Sequence, residues 1–208
     1  METEKLRKTC PEYQNKNIFI RNLFWRRVKI ALEFSSTYDV GSSIVLDIGC
    51  GRAKLFELMN KSKPQVKKIG IDTNEDVTKL TIKNSKFYVI KSNQKFPFDN
   101  CKFEEVFALD CLEHIENLED EIYEIKRVLK KDGNLIISGP TENIIYKIGR
   151  LIMKGKWNEV YEDGEVHEWN IHEVKKKILD QGFICLRSKY LPSKLFPLFI
   201  VYKFKNPC

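Results

Sequence analysis

Residues 45–51 read VLDIGCG, and this run constrains the fold more than any other. A compact apolar stretch closed by two glycines is a buried parallel strand that runs into a tight turn. Glycines at 49 and 51 let the chain reverse sharply and bring backbone N–H groups close to a ligand. A dinucleotide-binding turn would need a small third residue at the end of G-x-G-x-x-G, where this chain has Lys54. The small residue stands one place earlier, at Ala53, and Asp47 precedes the first glycine by two. A carboxylate at that point repels a pyrophosphate and suits a ligand that carries an ammonium group.

From here the pattern alternates. Further strands are predicted at 66–72, 86–90, 103–109 and 133–139, with helices at 53–61, 75–84 and 117–131 between them. A last helix is predicted at 171–181, followed by two strands near 183–190 and 198–205 with no helix between. Repeated βα units imply an α/β, Rossmann-like, mostly parallel seven-stranded sheet with helices on both faces; the closing pair implies an antiparallel hairpin at one edge. Residues 18–34, with Arg21, Arg26, Arg27 and Lys29 set among apolar side chains, predict a basic amphipathic helix packed on that domain. The expected division is therefore a helical segment over 1–42 and a ligand-binding domain over 43–208, with an inserted lid at about 141–165.

Asp72 closes the second strand, 21 residues after Gly51, where a carboxylate can accept hydrogen bonds from both hydroxyls of a ribose. D-x-G-x-G after the first strand, with an acid after the second, resembles the class I S-adenosylmethionine (SAM)-dependent methyltransferases. The resemblance runs over roughly residues 43–205 and departs at Ala53, where the family often has a third glycine. It implies SAM as cofactor, held by Asp47, Gly49, Cys50, Gly51, Asp72, Thr73 and Asp110. Ser92 and Asn93 stand where the family usually has an acid for the adenine amino group. Phe96 and Phe98 read as core.

Methyl transfer from a sulfonium requires an oriented acceptor, a dry site and, for an oxygen acceptor, a base or metal. The fourth strand ends in Asp110-Cys111-Leu112-Glu113-His114, in the crevice beside the glycine loop. Glu113, His114 and His167 are the candidate catalytic residues, and Cys111 reads as packing. D-x-x-E-H is also similar to the E-x-x-E-H cluster of metal-dependent O-methyltransferases, which makes Asp110, Glu113, His114 and His167 a candidate divalent-metal set. The expected reaction is methyl transfer from SAM to a small-molecule acceptor at oxygen.

The net charge of +7 leaves two other partners to weigh. Lysines mixed with glutamates along the chain, and DCLE after strand four in place of an N/D-P-P-Y/F motif, argue against an RNA methyltransferase. The basic helix at 18–34 leaves peripheral membrane contact open, although no apolar run is long enough to span a bilayer. A non-catalytic SAM-fold scaffold is the third reading, and Ser92 is the one feature in its favour. Six cysteines without a Cys-x-x-Cys pair fit free thiols and a cytoplasmic location.

Overall fold

In a computed structural model, described over residues 13, 17–91, 94–141 and 168–207, seven strands form one sheet of order β3-β2-β1-β4-β5-β7-β6. The strands are β1 (Ile44–Ile48), β2 (Lys67–Asp72), β3 (Ser85–Val89), β4 (Phe103–Leu109), β5 (Leu129–Pro140), β6 (Ile184–Pro192) and β7 (Pro197–Lys205). The first five pair in parallel, and β7 pairs antiparallel with both β5 and β6. The predicted edge hairpin is thus β6–β7, with β7 inserted next to β5.

Side chains alternate across the sheet, and each face carries its own core. Leu46, Val106, Ala108, Leu135 and Ile137 face α3 (Leu118–Val128) and α4 (Ile171–Asp180) through Ile122, Ile125, Val174 and Ile178. Val45, Phe107, Ile136 and Val201 face the other way, toward α1 (Ile18–Phe34) and α2 (Lys54–Ser62) through Val28, Ala31, Phe34, Phe56 and Met59. Each large apolar side chain buried this way is worth about 1.5–3 kcal/mol. α4 begins at a capping box in which the Asn170 side chain accepts from the Glu173 N–H and the Glu173 carboxylate accepts from the Asn170 N–H.

Two expectations change. The helix predicted over 75–84 is a single 3₁₀ turn, Glu75–Lys79, capped by the Asn74 side chain. Val77, Thr78, Thr81 and Ile82 are β-branched and lose rotamer freedom in a helix, and only Val77 of the turn is buried. The strand predicted over 133–139 starts four residues earlier, because Leu129 pairs with Phe103 across a register shift. The lid expected at about 141–165 lies, apart from Thr141, outside the described residues.

α1 is tied to both ends of β4. Near its middle Arg27 pairs with Asp110, just past the C-terminal end of β4. Beyond its C-terminal end, the Ser35 hydroxyl and Ser36 N–H both donate to the buried Glu105 carboxylate near the start of β4. The N-terminal helix is therefore part of the same core as the sheet, and its Arg27 reaches the ends of the strands where a ligand binds in this architecture.

Candidate active site

The turn after β1 has the backbone its glycines predict. Gly49 has φ +64° and Gly51 φ +47°. Ala53, which replaces the third small position, also lies in the left-handed region at φ 52°, and it is fully buried as the N-cap of α2. Gly49 leaves no room for a side chain, since a Cβ there would lie 2.6 Å from Cys111 Cβ. The glycine turn and the residues after β4 are thus in direct contact. The Cys111 thiol donates to the Ile48 carbonyl (3.3 Å).

Carboxylates surround this contact. Asp47 is buried at 3% exposure; burial, and then the neighbouring Asp72, hold its carboxyl well above the usual carboxylate range. Asp72 accepts from the Gly51 N–H (2.7 Å) on one oxygen and from the Asn74 N–H (2.9 Å) on the other. Each carboxylate oxygen keeps a second acceptor site, so a ribose diol is not barred. Burial pushes the Cys111 thiol up, reinforced by Glu113, Glu121, Asp47 and Asp110, which favours the protonated thiol. Burial, with Glu124 beside it, lifts Glu121 to about 7. In a chain of net charge +7, this acidic crevice favours a cationic ligand.

Glu113 is buried in the 3₁₀ turn Leu112–His114, and His114 is half-buried there. The segment leading into α4 closes on this turn. Glu168 N–H donates to the Glu113 carbonyl (2.9 Å) and Trp169 Nε1 donates to the Ile115 carbonyl (2.9 Å). Trp169 is a packing residue, as its partners show. His172 is exposed in the first turn of α4, with Nδ1 3.4 Å from the Tyr202 hydroxyl. His167, Ser92 and Asn93 lie outside the described residues. Thr73 follows Asp72 at the end of β2, and the Thr141 hydroxyl donates to the Pro197 carbonyl (2.6 Å).

Asp110 has a protein cation as its partner. It sits at φ 55°, accepts from the Ser138 hydroxyl (3.1 Å) and pairs with Arg27. Its carboxylate is therefore already balanced by a guanidinium. Among the described residues no three His, Cys, Asp or Glu side chains converge on a metal-sized space.

Arg27, one of the basic residues of the predicted amphipathic helix, is 3% exposed. Its guanidinium lies 4.6 Å from the Phe24 ring and 4.9 Å from the Phe199 ring. Burial works to lower its pKa, but Asp110, Tyr13 and Glu113 together reverse this, so the group stays charged. The sequence did carry a signal. Phe24, Arg27, Ala31 and Phe34 follow the helical period, which puts Arg27 on the apolar face.

A parallel sheet reversed by one antiparallel strand, with D-x-G-x-G after β1 and an acid after β2, defines the SAM-dependent methyltransferase class. Comparison with known proteins agrees. Residues 19–186 match the model of a methyltransferase-domain family. The ubiquinone/menaquinone biosynthesis C-methyltransferase UbiE of Desulfotalea psychrophila is 26% identical over 185 residues, 79% of this chain and 74% of that protein. The ubiquinone biosynthesis O-methyltransferase of Pelagibacter ubique is 30% identical over 103 residues, but these span only 45% of this chain and 40% of that one. A SAM-dependent methyltransferase from Aquifex aeolicus superposes with a TM-score of 0.63 at 19% identity, over 86% of this chain and 88% of its own. This chain belongs to the methyltransferase-domain family, and its cofactor is SAM. The chemistry SAM supplies is an activated methyl group on a sulfonium.

Proposed function

We propose that the chain methylates a small molecule at oxygen, with SAM lying across the crevice between the glycine turn and the end of β4. In this reading the methionine end lies over Asp47–Ala53 and the ribose hydroxyls meet Asp72. Asp72→Ala is expected to weaken SAM binding by roughly 1–3 kcal/mol, the usual cost of losing hydrogen bonds to a charged group. Titration calorimetry on the folded variant checks this, and unchanged affinity would remove Asp72 from the site.

The observation that carries the placement is that buried Asp47 leads into the Gly49–Gly51 turn while Asp72 accepts from its Gly51 N–H. Glu113 and His114 are the proposed base candidates for the acceptor hydroxyl, with His167 as a third. Two of the three curated relatives, those named above, bear names from quinone biosynthesis, one transferring to carbon and one to oxygen, and this supports a small-molecule acceptor over RNA. Peripheral membrane contact through residues 18–34 belongs to the same reading. Ile18 and Phe19 are exposed on α1, the latter at 82%, with Arg26 and Lys29 exposed on the same helix. Among the described residues no helix is long and apolar enough to cross a membrane.

The test is transfer of labelled methyl from SAM to a panel of phenols, quinols, lipids and RNA, run with and without anionic vesicles. The expected result is label on the oxygen of a small acceptor, and pelleting of the protein with the vesicles at low salt. Label found only on RNA would overturn the acceptor class, and protein left in the supernatant would overturn the membrane contact.

A further inference from the structure

We propose that the N-terminus of α1 and the tip of the β6–β7 hairpin form a two-point anchor that seats the crevice end of the sheet on an anionic bilayer. The inference rests on the membrane contact proposed above through residues 18–34. It adds a second insertion point, Leu195 and Phe196, which comes from the other end of the chain.

Both points project from the same end of the molecule. β7 pairs antiparallel with β5, and Phe199 lies opposite Pro140, the last residue of β5. The hairpin tip, residues 193–196, therefore stands beyond the C-terminal ends of the parallel strands. Arg27 meets Asp110 past the end of β4, while Ser35 and Ser36 meet Glu105 near its start. The turns of α1 before Arg27 run on beyond the same end, and Ile18 stands about 14 Å further along the helix. The Phe24 ring, 5.3 Å from the Phe199 ring, fixes the helix against the root of the hairpin.

The two tips expose the same chemistry. Phe19 and Leu195 are each 82% exposed, and Ile18 and Phe196 are exposed beside them. Exposed apolar side chains scattered singly are ordinary, but here they are paired on two tips at one end. The hairpin tip is held in shape. Phe196 N–H donates to the Ser193 hydroxyl (3.3 Å), and the strands stay paired up to Pro192 and Pro197 at its base. Exposed cations accompany both tips. Lys194 adjoins Leu195, and Arg26 and Lys29 follow Phe19 along α1. Arg26 lies about 10 Å along the helix from Phe19, which sets it among headgroups when Phe19 reaches the acyl boundary.

Charge selects the partner. Residues 13–32 hold five Lys and Arg and residues 181–208 another five, with no Asp or Glu in either stretch. Those ten exceed the net +7 of the whole chain, so the remainder is net acidic. The basic character of the chain is therefore concentrated in the two segments that supply the tips. Ile18 and Leu195 offer no flat face on which a base stacks, so apolar tips beside cations fit an anionic lipid surface better than RNA.

Co-sedimentation of the full chain at low salt tests the anchor, with vesicles of phosphatidylglycerol and phosphatidylcholine or of phosphatidylcholine alone. Wild type is expected to pellet only where phosphatidylglycerol is present. The double change Leu195→Ser, Phe196→Ser should lower partition at least about tenfold, and Lys194→Gln about fivefold. Phe19→Ser should also lower it, and all these variants, changed at exposed positions, should keep the wild-type circular dichroism. Hairpin variants that pellet like wild type while Phe19→Ser does not overturn the second insertion point and leave the contact through 18–34 standing. A wild-type chain left in the supernatant overturns that contact and the anchor with it. Equal pelleting with phosphatidylcholine alone overturns the anionic bilayer as partner. So does binding of single-stranded RNA in place of vesicles. A dimer on gel filtration that the double change converts to monomer, with no vesicle binding, means that the tips meet a second copy instead.

Discussion

Gly49→Ala is expected to lower SAM affinity by more than about a hundredfold, or roughly 2.7 kcal/mol. Two costs fall on one residue. At φ +64° a side chain pays about 1–2 kcal/mol for the left-handed backbone. The new Cβ would also lie 2.6 Å from Cys111 Cβ and 3.3 Å from its sulfur, so the turn or the start of the 3₁₀ segment must move. Either movement opens the contact between the glycine turn and Asp110–Cys111, the two walls proposed to hold SAM. The nearest atom is Cβ, which makes the rescue specific. Cys111→Ala keeps Cβ and should restore nothing, whereas Cys111→Gly should recover part of the affinity. Calorimetry on folded Gly49→Ala, alone and combined with each Cys111 change, checks this against wild type. A Gly49→Ala protein within about threefold of wild type would mean that the turn does not contact the cofactor.

That contact illustrates what was legible in the sequence. VLDIGCG, Asp72 and the alternation of strand and helix are local signals: a period of two, a period near 3.6, and glycines where the chain must turn. They predicted the sheet, its edge hairpin and the acidic crevice. The roles of Cys111 and Arg27 depend on distant partners. Cys111 read as packing, but nothing local says that it packs on Gly49, 62 residues earlier. Arg27 sits among Arg21, Arg26 and Lys29, and composition alone reads all four as one basic stripe. Only phase along the helix separates Arg27 from the exposed Arg26. The 75–84 segment failed for another reason: its apolar positions allow a helix, but its β-branched residues and single buried contact do not sustain one. Glu104 and Glu105 are a similar case. A strand must turn one of two adjacent glutamates inward, and the sequence does not say which.

The answer is Glu105, and Glu105→Ala is expected to cost about 3–5 kcal/mol, the range for breaking a buried charged network by removing one partner. Its carboxylate, 1% exposed, accepts from the Ser35 hydroxyl and the Ser36 N–H. Around the same two serines, Lys63 donates to the Ser35 hydroxyl (2.8 Å) and Lys203 to the Ser36 hydroxyl and the Phe34 carbonyl. Removing Glu105 leaves two lysines partly buried without the charge that balances them. The pH dependence follows from their shifts. Burial lowers both lysines, and Glu105 acts to raise both back. With folded values below the ordinary lysine value of about 10.4, the unfolded chain binds more protons, so stability rises with pH through that window. Without Glu105 the folded values fall further and the window widens downward. The deficit should therefore be largest near neutral pH and shrink as pH approaches about 10. Urea denaturation at neutral and alkaline pH measures it, with Glu105→Gln as a variant that keeps an acceptor for Ser36 but not the charge, and should lose less than Glu105→Ala while showing the same pH dependence. A deficit below about 1 kcal/mol, or one that stays constant with pH, would show that Glu105 does not balance these lysines.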